Sequence, residues 1–135
     1  MTTIKSFTDL EQSKRLAEIL PLESADMTYC AVTEGMREKM IIKNWEVNVG
    51  LDIAIKKNLF SYRNGYMVPC WSLAAMLDAL PSNLQLALAI NDYQGGIKER
   101  YAIGSVNSDI YDCYADNPVD ACYEMILKLH ELEML

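Results

Sequence analysis

At 135 residues, 51% of them hydrophobic, the chain is long enough to bury a core without disulfide or metal staples, which excludes a disordered tail and leads us to expect a single domain, 1–135. Its net charge of −7 repels phosphate backbones, so nucleic-acid binding through bulk charge is not expected. No stretch approaches the roughly 18 uninterrupted apolar residues of a membrane span, and Lys5, Asp9 and Glu11 break up any signal-peptide core, so a cytoplasmic protein without a membrane role is expected.

In chain order, Thr8 followed by Glu11 has the spacing of a capping box, and Leu10, Leu16, Ala17 and Leu20 behind it predict a peripheral helix over 9–19 that Pro21 ends. Thr28, Tyr29 and Val32 favour a strand over 27–32, and Ile41, Ile42, Trp45, Val47 and Val49 another over 40–49. Residues 51–60 read two ways: Leu51, Ala54, Ile55 and Leu59 fit a helical stripe, Ile53 and Ile55 a strand, and the short helix is preferred. Asn64 and Gly65 mark a turn, 66–68 a brief edge strand that Pro69 limits, and Ser72 a cap for a short helix over 73–80.

The organising stretch is 84–132. Leu84, Leu86, Leu88 and Ile90 alternate with Gln85, Ala87, Ala89 and Asn91, the period of a strand with one face on a core. Gly95 and Gly96 suit a hairpin turn, Tyr101, Ile103 and Val106 a return strand, and 110–114 a shorter third. Asn117 can cap a helix opened by Pro118, with Asp120 in its first turn and Val119, Cys122, Met125, Ile126, Leu129 and Leu132 as its buried stripe. The expected fold is α+β: an antiparallel meander over 84–114 with the helices from Leu73 and Pro118 on its leucine face, and the strands near Met27 and Met40 as candidates to extend it.

Candidate chemistry is thin. Cys70 before a helix start could be an activated nucleophile, but the sole histidine, His130, sits in the acidic C-terminal helix and no glycine-rich hydrolase context surrounds the thiol, so a buried cysteine beside Trp71 is the better reading. Cys30, Cys70, Cys113 and Cys122 form no CxxC pair, and His130 with Cys113 and Cys122 lacks any zinc spacing. Asp109, Asp112, Asp116 and Asp120 lack the glycine and closing glutamate of a calcium loop, and Gly95 and Gly96 lack a phosphate loop's lysine. Tyr93, Tyr101, Tyr111, Tyr114 and Tyr123 are better explained by strand packing than by base stacking. No catalytic, cofactor-binding or metal-binding residue is assigned, and binding residues stay unassigned.

Charge is uneven. After Asn107, seven acidic residues face Lys128 alone, whereas Arg37, Lys39, Lys43, Lys56, Lys57 and Arg63 outnumber Glu38, Glu46 and Asp52 in the middle. This asymmetry makes an acidic inhibitor or antitoxin of a nucleic-acid enzyme the alternative to a non-catalytic interaction protein, with a small-ligand binder as a further alternative. A protein partner or self-association is expected.

Two segments, EQSKRLAEILPLESADM over 11–27 and NPVDACYEMILKLHEL over 117–132, with PCWSLAAMLDALP over 69–81 between them, resemble an uncharacterised family of small proteins of Bacteroides and related gut bacteria, often carried on phage or other mobile elements. That resemblance implies an accessory role in a mobile element and carries over no functional residue. More loosely, three strands followed by a helix opened by Asp116, Asn117 and Pro118 are similar to the partial RNase H-like module of HicB-type antitoxins, a likeness of fold alone.

Overall fold

The computed structural model describes residues 5–35, 40–50, 65–93, 96–105 and 108–135. It is an α+β fold in which two three-stranded antiparallel sheets belong to two compact units, one formed by Met1–Thr8 with Leu73–Leu135, the other by Asp9–Ser72. The expected helix over 51–60 and the Asn64 half of the turn at Asn64–Gly65 lie outside the described residues.

In the unit of Asp9–Ser72, helix α1 (Leu10–Ala17) opens on Asp9 rather than Thr8. The Asp9 carboxylate accepts from the Gln12 backbone N–H at 2.8 Å, and the Gln12 side chain accepts from the Asp9 N–H at 3.1 Å, a capping box one residue later than the sequence suggests. Thr8 is fully buried instead. Nor is α1 peripheral within its unit, since it packs on β3 and encloses Leu16 completely.

Strands β1 (Met27–Glu34), β2 (Ile41–Val49) and β3 (Met67–Cys70) form a sheet in the order β2-β1-β3, so the first two do not extend the later meander. Both edges of β1 are already filled, by β2 on one side and β3 on the other, which leaves it no ladder to offer. The brief edge strand expected over 66–68 is found at Met67–Cys70, and Pro69 does not end it: pairing with β1 runs on through Pro69 to Cys70, because a proline is tolerated on an edge strand. Trp71, with no exposed surface, donates its indole N–H to the Ser24 hydroxyl at 2.9 Å.

The other unit contains α2 (Leu73–Ala79), β4 (Leu84–Tyr93), β5 (Gly96–Ser105), β6 (Ser108–Ala115) and α3 (Pro118–Glu131). The meander is as expected, in the order β4-β5-β6, although Gly96 is already in β5 opposite Tyr93 and β6 is eight residues long. Asn117 caps α3 by accepting from the Asp120 N–H at 2.8 Å, and Lys5 reaches Asp120 at 2.9 Å. Helix α3 packs on β5 and β6, whereas α2 packs chiefly on α3 rather than on the leucine face. Val119, Cys122, Met125, Ile126 and Leu129 are buried, but the stripe stops there, because Leu132 caps the helix and is 49% exposed.

Candidate functional site

The residues weighed for catalysis stand in different surroundings. Cys70 is completely enclosed at the end of β3, and His130 is exposed on α3. All four cysteines are free. Burial pushes the Cys122 thiol up to about 12, far from the thiolate that a nucleophile or metal ligand needs. Among the described residues no cluster of histidine, cysteine and carboxylate groups could hold a metal ion, and the Asp120 carboxylate already accepts from Lys5 Nζ and from the Asn117 side-chain amide. The side chains of Asp109, Asp112, Tyr93, Tyr111 and Tyr114 lie outside the description, as do those of the basic residues 37, 39, 56, 57 and 63. Lys43 is exposed on β2.

The most distinctive surface belongs to β2, which sequence reasoning treated only as a strand. In its register with β1, Val49, Val47 and Trp45 stand opposite Met27, Tyr29 and Ala31; Asn44 then faces Val32, but Ile42 faces Thr33. Lys43 is thus an extra residue, a β-bulge. Because directly opposed residues share a face, the bulge returns Ile42 to the face already carrying Trp45, Val47 and Val49. Without it Ile42 would point to the opposite side with Asn44, Glu46 and Asn48.

This apolar face is covered only in part: Trp45 and Val47 are half-buried, whereas Val49 is 88% exposed and Ile42 and the flanking Met40 are also exposed; Ile41, 63% exposed, belongs to the opposite face. Over the same face lies an open cleft of about 450 Å³, lined by Lys14 and Ala17 of α1, Ile42 and Trp45 of β2, and Gly65, Met67, Val68 and Pro69. The Lys14 ammonium stands 5.9 Å from the centre of the Trp45 ring, within cation–π range. Deeper in the sheet, Tyr29 is pushed up to about 12, first by burial and then by its proximity to Cys70 and the Asp9 carboxylate, so it stays a neutral phenol.

What this arrangement offers is backbone and apolar surface. Among the described residues the outer edge of β2 has no ladder partner. Compared with protein-family models, with curated proteins and with solved structures, the chain shows no match. Among the described residues no helix is long and apolar enough to cross a membrane.

Proposed function

We propose that this chain is a non-catalytic protein-interaction protein that binds its partner along β2. The observation that carries the reading is the concentration of exposed apolar side chains on one edge strand: Met40, Ile41, Ile42 and Val49 all belong to it or adjoin it. An unpaired edge presents a row of backbone donors and acceptors, and an apolar surface gathered at one place marks an interaction site. Strand addition uses both, taking affinity from the backbone ladder and specificity from the side chains beside it. The resemblance of 11–27, 69–81 and 117–132 to small proteins of Bacteroides mobile elements supports an accessory role in such an element.

The test is affinity capture at low salt from the native host, run in parallel with Ile42→Lys and Val49→Lys, with circular dichroism to verify that both variants fold. A stoichiometric partner that both variants lose supports the reading. Equal capture by all three forms sinks it, as does turnover of a substrate that Cys70→Ala abolishes.

A second reading, an acidic inhibitor of a nucleic-acid enzyme, is favoured by the exposure of Asp116, Glu124, Glu131 and Glu133 along α3 and its ends. Its complex would weaken steeply with salt, and capture that survives about 1 M salt counts against it.

A further inference from the structure

We infer that the cleft between α1 and the β2-β1-β3 sheet is a binding site for a small aromatic carboxylate. The cleft lies within the unit of Asp9–Ser72. This goes beyond the interaction reading and does not rest on it, because strand addition uses the outer edge of β2 whereas the cleft lies over the face of the sheet. A volume of about 450 Å³ falls in the range of ligand pockets, and the lining has their make-up, mostly apolar with a few polar groups.

Those polar groups are donors with no acceptor. Among the described residues Lys14 Nζ meets only the Glu11 carboxylate at 3.8 Å, beyond hydrogen-bond length, and the Trp45 ring at 5.9 Å. The indole N–H of half-buried Trp45 meets no acceptor among them either, in contrast to that of Trp71, which donates to Ser24. A tryptophan N–H drawn out of water normally finds a partner. Among the described residues no aspartate or glutamate lines the cleft, so the charge at its wall is that of Lys14. An ammonium beside an indole N–H, with no acid between them, suits an acceptor of one negative charge and two oxygens. A carboxylate would take from Lys14 the charge-assisted hydrogen bond that Glu11 is too distant to accept, and its second oxygen is left for the indole. The rest of the lining selects the body of the ligand. Ile42 and Met67 offer apolar contact, and the flat rings of Trp45 and Pro69 are covered better by a planar aromatic than by a flexible chain.

The test is calorimetric titration with naphthoate and with its uncharged carboxamide, which has the same ring. Naphthoate should bind with a dissociation constant of about 1 mM or tighter, and the amide about tenfold more weakly. Lys14→Gln, on a half-exposed side chain whose loss circular dichroism can show to leave the fold intact, should bring naphthoate down to the level of the amide and leave the amide unchanged. Trp45→Phe keeps a flat ring without the N–H and should weaken naphthoate by about threefold or more. Glu11→Gln removes the competing carboxylate and should tighten it by about twofold. Absence of saturable binding up to roughly 10 mM overturns the inference, as does equal affinity for the acid and the amide, or naphthoate binding that Lys14→Gln leaves untouched. None of these outcomes touches strand addition, which is tested by Val49→Lys at a residue outside the cleft lining.

Discussion

The two units solve one problem, covering a three-stranded antiparallel sheet, with helices of different reach. Helix α3 has fourteen residues, about 21 Å at 1.5 Å per residue, and buries seven of them. Helix α1 has eight residues, about 12 Å, and buries only Ser13 and Leu16. Helix α1 packs chiefly on β3 and meets β2 through Lys14 over the Trp45 ring, so Trp45 is half-buried while Ile42 and Val49 stay exposed.

The comparison can be broken at several levels, the deepest being the cores. Trp71→Ala removes a fully enclosed indole and its hydrogen bond to Ser24 and should cost about 3–5 kcal/mol by urea denaturation. Ile126→Ala in α3 should cost about 2–5 kcal/mol, because the helix closes tightly over β5 and β6. The single-domain expectation further predicts that each variant lowers one shared cooperative transition in calorimetry; two resolved transitions would divide the chain.

Each unit also holds one group whose proton the fold retains. Below pH 9 Cys122 and Tyr29 are protonated in both folded and unfolded chains. As pH rises past their ordinary values, 9.0 and 10.0, the unfolded chain releases protons that the fold keeps until about 12. Stability should therefore fall between pH 9 and 12, by on the order of 1 kcal/mol per pH unit for each group, and Cys122→Ala should flatten the onset. A denaturation midpoint constant across that range would contradict the burial of both.

Smaller effects sharpen the contrast. Asn117→Ala should cost about 1 kcal/mol, the usual loss on removing a side-chain cap, read from the urea midpoint. Val49→Lys, at a site 88% exposed, should change the stability of dilute protein by less than about 0.5 kcal/mol. A large loss there would mean that β2 is covered even in the lone chain.

Much of this was legible in the residues. The alternation from Leu84, the Asn117-Pro118 start and the stripe from Val119 to Leu129 all state local rules that the fold obeys. Sheet membership was not, because Met27–Glu34 satisfies strand rules equally well in either sheet and only long-range pairing chooses between them. The Thr8–Glu11 and Asp9–Gln12 pairs offer the same capping chemistry one residue apart, and burial of Thr8 settled the choice. The bulge had left a trace: Ile42 breaks phase with Trp45, Val47 and Val49, and such a slip within an alternating run signals an extra residue.

The Leu73 N–H donates to the Ser6 carbonyl at 3.0 Å, and both residues belong to the unit that Asp9–Ser72 interrupts. On the ribosome, Ser6 emerges before that interruption and Leu73 only after it. Asp9–Ser72 can therefore collapse while its host still awaits β4 to α3, and at about 5–20 residues per second the earliest residues of the host wait several seconds for their partners. Synthesis is out of step with assembly here, and the hydrogen bond between Ser6 and Leu73 marks where the late half rejoins the early one.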